Sequence, residues 1–489
     1  MKNSILIILF SFNSLVVFAQ RKNDTPYDPN KTFTPTQLKE DFSYLRKCLT
    51  EAHQSLYRYT SKDSLDKTFD IFEKSLTTDL TEKAFRNQLS PVVNEIKCGH
   101  STLQSSKARQ KFLNTQKTKY LPFNIMAISN RLFIKENKST DTSLLAGTEI
   151  LSIEGQKSED LIKQLNEIIV RDGYNQTFPE YFLRNRFSQF YARLFEEKDT
   201  FTLVVKTKDA PTRNIKTPCI DKLLTTPFPT IAKENKAIYT HSKTSYLTLD
   251  AQNSNIAILK IKGFSMLGYW RFYRKTFKYI KKNNIEHLVL DLRDNGGGFV
   301  FNSGRLMGYL LDKPQHINIS NKGVKPAFVA ANKSNNKNYN KTFRLFRKVP
   351  KKWGIETLKN DSFYQITYTN KVDKDNYKGK LYVLTNGLTF SASGIVSAYL
   401  KKEKRATFIG EETGGCEEGS NGFNTPTVTL PNSKLQYIIP IFRIDHDGAT
   451  PLQKGRGIIP DFPINYDVQD RLLNKDLEME KVRIIVSEK

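Results

Sequence analysis

Two short stretches of this 489-residue chain carry residue types suited to acyl transfer. In "TFSASGIVSAYL", Ser391 stands where an apolar strand pattern ends and an amphipathic helix pattern begins. A serine there has two readings. It is a common N-cap, its hydroxyl accepting from an orphan amide of the first turn. It is also where a nucleophile belongs, if the turn that aims it supplies an amide, here that of Ala392, to a developing oxyanion. In "HLVLDLRDNGGG", Gly296, Gly297 and Gly298 follow another apolar strand and precede the helix pattern "FVFNSGRLMGYLL". Consecutive glycines let backbone amides approach a ligand closely, and a helix N-terminus favours negative charge. Gly297, Gly298 and Ala392 are therefore the expected oxyanion donors.

The elements that must hold these loops fall into three regions. Thr34-Pro35-Thr36-Gln37 reads as a capping box with an N1 proline. Leu38, Phe42, Leu45 and Leu49 then recur at helical spacing, and two further stripes, Leu65-Phe69-Phe72 and Phe85-Leu89-Val93, complete a helical domain over residues 25–108. Its third helix ends at "KCGHS", where Gly99 reads as a C-cap and His100 follows. From residue 118 to 210 the texture turns to short strands. Gly147, Ile150, Ile153 and Gly155 resemble the signature of a PDZ domain, interrupted by a helical insertion from about Leu161 to Glu197. That resemblance implies a groove that holds peptide C-termini, with Leu121 and Phe123 in the carboxylate-binding loop. Residues 237–467 alternate strands and helices, an α/β layer.

The bulk numbers add context. "MKNSILIILFSFNSLVVFAQ" has the charged start, short apolar run and small-residue exit of a secretory signal over residues 1–19. The expected location is therefore the periplasm or the medium. The formal charge is +26. With no nucleic-acid-binding motif in the chain, the expectation is no nucleic-acid partner and a solvated basic surface open to peripheral contact with an anionic membrane. Lys313–Ile355 contains no intervening acid and reads as an exposed basic insert. No metal-ligand spacing and no phosphate loop occurs, so neither a metal nor another cofactor is expected.

Taken together, "LVLDLRDNGGG", "LTFSASGIVSAYLK", "ATFIGEETGG" and "GRGIIPDF" resemble the blocks of the tail-specific, or C-terminal-processing, serine peptidases and their tricorn-core relatives. The resemblance implies a crotonase/ClpP-like catalytic domain of α/β class, Ser391 as nucleophile and protein or peptide substrates. One departure matters. The tail-specific branch takes its base from a lysine shortly after the "GE-x-T" block, with a glutamine four residues on. Here those positions are Cys416 and Ser420. The tricorn-like branch uses a histidine from the N-terminal region beside a serine, which His100-Ser101 matches. The implied base is then His100, with His446, flanked by Asp445 and Asp447, as its rival. The orienting acid stays open: Lys454 stands near the expected glutamate position, and Asp445, Asp447, Glu411 and Glu418 are substitutes by proximity, Asp447 first among them. The alternative is a catalytically inactive member of the fold that binds ligands or peptides. If Cys98 and Cys416 flank one site, they either form a disulfide or remain two buried thiols.

Overall fold

A computed structural model describes residues 26–115, 118–207, 210–221, 237–242, 244–265, 268–321, 354–359 and 364–488. The signal-like segment 1–19 and residues 322–353 of the basic insert lie outside the described residues.

The N-terminal region is built by its stripes. Helix Pro35–Ala52 opens on the capping box, with the Gln37 amide donating to Thr34 Oγ1 and the Thr34 amide to Gln37 Oε1. Leu38, Phe42, Leu45 and Leu49 are fully buried against helices Lys62–Ser75 and Glu82–Asn94. Each such side chain is worth about 1.5–3 kcal/mol of burial. Asp41, also buried, breaks the stripe for a reason: it accepts from the amides of Asn432 and Ser433 at 2.6 and 2.8 Å, clamping the helix onto the C-terminal half of the chain.

The second region is a sheet of strands from Phe123–Ile128 to Arg213–Pro218, with helices Ser158–Ile168 and Thr177–Leu194 inserted before its strand Thr200–Lys206. Gly147 and Gly155 both adopt positive φ, as tight turns into and out of Glu149–Ile153 require.

A seven-stranded sheet forms the third region, in the order Tyr239–Ser242, Ser245–Leu249, Ile256–Ile261, His287–Asp291, Lys380–Thr385, Thr407–Gly410 and Phe462–Pro463. The last five run parallel. Such strands are covered on both faces, which explains the unbroken apolar runs in "HLVLD" and "KLYVLT". On one face, helix Tyr269–Lys282 buries Phe272, Tyr273, Phe277 and Ile280 and turns Arg271, Arg274, Lys275 and Lys278 to solvent, one place where the net positive charge sits. The loops after His287–Asp291 and Lys380–Thr385 emerge side by side at the carboxyl ends of adjacent parallel strands, where open α/β sheets bind ligands.

Candidate active site

The two loops are cross-linked before any side chain is offered to a substrate. The Asp294 amide donates to Asn386 Oδ1 at 3.0 Å, and Asn386 Nδ2 returns a bond to Asp294 Oδ1 at 2.9 Å. The Phe390 amide and the Ser393 hydroxyl both donate to the Asn295 carbonyl, at 3.0 and 2.6 Å. The backbone on each side of Ser391 is therefore fixed. Ser391 itself takes φ 57°, ψ −122°, a conformation that costs a non-glycine residue roughly 1–3 kcal/mol. It stands at the N-cap of helix Ala392–Lys402, yet its side chain makes no capping bond. The expectation that Ser391 caps the helix with its hydroxyl is corrected on this point. The strained turn lifts Oγ out of capping range, the geometry of a serine presented at a sharp strand-to-helix turn.

That hydroxyl meets His100 instead. His100 Nε2 lies 3.2 Å from Ser391 Oγ although the residues are 291 positions apart. Strand Thr102–Gln104, which begins two residues after His100, explains the approach. It pairs antiparallel with Gln436–Ile438, so the end of the helical region is stitched into the same body as Ser391. The imidazole stacks on the Phe390 ring at 4.6 Å between centroids. Gly422 closes the other side, since a Cβ there would stand 3.4 Å from His100 Nε2. Burial lowers the His100 pKa to about 4, so the ring is neutral near pH 7 and its Nε2 can accept a proton.

The three glycines, alike in sequence, do different work. The Gly297 amide is committed to Asn295 Oδ1 at 2.9 Å, so Gly297 is not an oxyanion donor. It serves as a spacer: a Cβ at its φ of +102° would stand 2.6 Å from Ser391 Cβ and 2.9 Å from the Ala392 amide nitrogen. Among the described residues, the Gly298 and Ala392 amides have no acceptor. Gly298 continues the strand-like bridge to Phe264 at φ +136°. Gly99 is likewise reassigned. It is not the left-handed cap of its helix; Lys97 takes the positive φ, and Gly99 is required because a Cβ would stand 2.8 Å from the Phe390 ring.

Other expected residues fall elsewhere. Asp447 accepts from Asn318 Nδ2 on the exposed side of the sheet and makes no bond to His100. His446 Nδ1 bonds the Glu417 carbonyl at 2.8 Å, and no bond links it to Ser391. Ser101 is engaged by His53 Nε2 at 3.1 Å rather than by His100. Cys98 and Cys416 are free, buried thiols; Cys98 Sγ accepts from Asn421 Nδ2 at 3.2 Å. Leu121 and Phe123 are 1% and 0% exposed and belong to the core under helix Thr177–Leu194, so their side chains line no groove.

One more residue, absent from the expected set, completes the picture. Asp172, 3% exposed, accepts from the Gly99 amide through Oδ1 at 2.7 Å, one residue before His100. Among the described residues, its Oδ2 and the Nδ1 of His100 are both buried without a partner. Burial raises the Asp172 carboxyl to about 7.

Residues 255–464 match peptidase family S41, and residues 117–221 match a PDZ domain. The segment matching S41 follows the segment matching a PDZ domain. The S41 segment holds Ser391 and the glycine loop; His100 comes from outside both matched segments. The tail-specific protease of Haemophilus influenzae is 24% identical over 221 residues, which is 44% of this chain and 26% of that protein. This chain thus spans about a quarter of the length of that curated relative. Among solved structures, mature CPAF complexed with lactacystin superposes with a TM-score of 0.65 at 15% identity, covering 93% of this chain and 98% of CPAF. Mature CPAF alone gives 0.62 at 14%, over 90% and 94%. At these identities the likeness concerns the fold, and it extends beyond the S41 and PDZ segments to almost the whole chain.

Proposed function

We propose that this protein is a serine peptidase of the tail-specific type, with Ser391 as nucleophile and His100 as general base. The observation that carries the reading is the 3.2 Å approach of His100 Nε2 to a serine hydroxyl held on a strained turn. In the reaction, Oγ of Ser391 attacks the carbonyl carbon of a peptide bond while its proton passes to Nε2. The oxyanion forms beside the free amides of Gly298 and Ala392, at the N-terminus of a helix with no acid in its first turn. The imidazolium then returns the proton to the departing amine, and water repeats the cycle on the acyl-enzyme. Protein or peptide chains are the substrates, with the PDZ domain presenting loose tails to the site. The signal-like N-terminus supports action outside the cytoplasm.

Intact-mass analysis after exposure to a fluorophosphonate probe tests the reading. One adduct on Ser391, absent in Ser391→Ala and slowed at least ~100-fold in His100→Ala, is expected. A folded wild-type protein that takes up no probe would replace the peptidase with a binding protein of the same fold.

A further inference from the structure

The mechanism so far leaves His100 unsupported on its far side. When Nε2 accepts the serine proton, Nδ1 must carry a hydrogen, and that hydrogen is buried without an acceptor among the described residues. Asp172, bonded to the same turn through Gly99, has in Oδ2 a buried acceptor without a donor among the described residues. Burying a carboxylate with so few bonds is costly, and native proteins keep such groups where chemistry or an enclosed water uses them.

The loop that carries Asp172 is held from both directions. The Gly173 amide donates to the Lys97 carbonyl at 2.9 Å, and the Tyr174 amide donates to the Gly455 carbonyl at 2.7 Å. Gly173 packs so closely on Gly455 that a Cβ would stand 2.4 Å from its carbonyl oxygen. Asn175 Nδ2 donates to the Thr413 carbonyl at 2.8 Å. A segment between two inserted helices is thus fastened to the turn bearing His100 and to the S41 domain at once. It docks beside Lys454, where the Gly455 amide donates to Glu418 Oε1 at 3.1 Å.

We propose that Asp172 is the positioning residue of His100. Oδ1 fixes the Gly99–His100 turn, and the buried carboxylate favours the Nδ1–H tautomer and stabilises the imidazolium electrostatically. The proton from Ser391 stays on His100 and Asp172 remains ionised throughout. This rests on the serine-peptidase reading above.

The test is the rate of fluorophosphonate acylation of the full-length protein across pH 4 to 9. The groups facing Asp172 are Tyr59, Cys98, Cys416, Glu418 and Arg443, and of these Arg443 alone opposes the effect of burial on the carboxyl. If the carboxylate is needed, the wild-type rate rises with pH near 7, where Asp172 ionises, and not near 4, where His100 does. Asp172→Asn keeps an Oδ1 acceptor for Gly99. It is expected to slow acylation at pH 8 by ~100-fold and to shift the rising limb toward 4. In a His100→Ala background the same substitution is expected to change nothing, because Asp172 acts only through the imidazole. A folded Asp172→Asn with the wild-type rate and limb would overturn the proposal while leaving Ser391 and His100 intact. Should the variant not fold, a wild-type limb near 4 would overturn it equally. A wild-type protein that never labels would instead remove the peptidase reading itself.

Discussion

Gly297→Ala probes the geometry of the nucleophile turn without touching a reacting atom. The added methyl would stand 2.6 Å from Ser391 Cβ, 2.8 Å from the Phe390 carbonyl oxygen and 2.9 Å from the Ala392 nitrogen. Two of these neighbours are backbone, fixed by the Asn295 bonds, so no flexible side chain can move aside. Reaching the 3.4 Å of ordinary contact requires the two loops to separate by about 0.8 Å. A displacement near 1 Å at a reacting group costs roughly 100-fold in rate, or about 2.7 kcal/mol in the barrier. The φ of +102° adds roughly 1–3 kcal/mol of backbone strain for any residue with a Cβ. Gly296→Ala is the control: its methyl would meet only Leu388 Cδ1, at 3.9 Å. Acylation by the fluorophosphonate probe, measured beside thermal melts, should fall ~100-fold in Gly297→Ala with a melt lowered by several degrees. Gly296→Ala should stay within about threefold of wild type. Equal rates in the two variants would refute the claim that the loops meet this closely around Ser391.

Two further outcomes follow from the buried groups. A thiol reagent should count four cysteines in guanidinium without reductant, and in the native protein at most Cys219, since Cys48, Cys98 and Cys416 are buried and burial lifts the first two to about 11; a native-state count above one, or a denatured count of two, would contradict free buried thiols. The Asp172 carboxyl binds its proton more tightly folded, at about 7, than unfolded, at 3.8. Its contribution is therefore present in full below pH 4 and lost as pH rises through 7, by up to about 4 kcal/mol. Denaturation at pH 5 and pH 8 should show wild type losing more stability over that interval than Asp172→Asn; parallel losses would show that Asp172 is not desolvated.

Local pattern made much of this legible. The capping box at Thr34, the helical stripes and the two strand-to-helix junctions are short-range signals, read from neighbours in sequence. The roles of the three glycines are not short-range. "GGG" says that backbone comes close to something, but whether an amide is free depends on Asn295 reaching Gly297 and sparing Gly298. The burial of the Leu121 and Phe123 side chains was hidden for a related reason: an apolar strand reads alike whether its side chains face a ligand or a packed helix. Asp172 left no trace, because "RDGYN" is an ordinary turn until it is docked on Gly99 and Gly455.

That docking bears on how the strain at Ser391 persists. Left to itself, the turn would relax to an extended N-cap and lose the His100 contact. It is held by the Phe390 amide and Ser393 hydroxyl on Asn295, and by Asn295 Nδ2 on the Ile261 carbonyl at 2.7 Å. Phe390, between them, packs at once on His100 at 4.6 Å and on Phe178 at 4.8 Å. Phe178 lies in the first turn of helix Thr177–Leu194, its amide donating to Asn175 Oδ1 at 2.8 Å. The loop carrying Asp172 therefore acts on both partners of the pair, on His100 through the Gly99 amide and on Ser391 through the tilted Phe178–Phe390 ring contact. A change that displaces the loop as a whole, unlike Asp172→Asn, which keeps the Gly99 bond and reaches only the imidazole, must shift nucleophile and base together, so its effect on acylation should exceed its effect on folding.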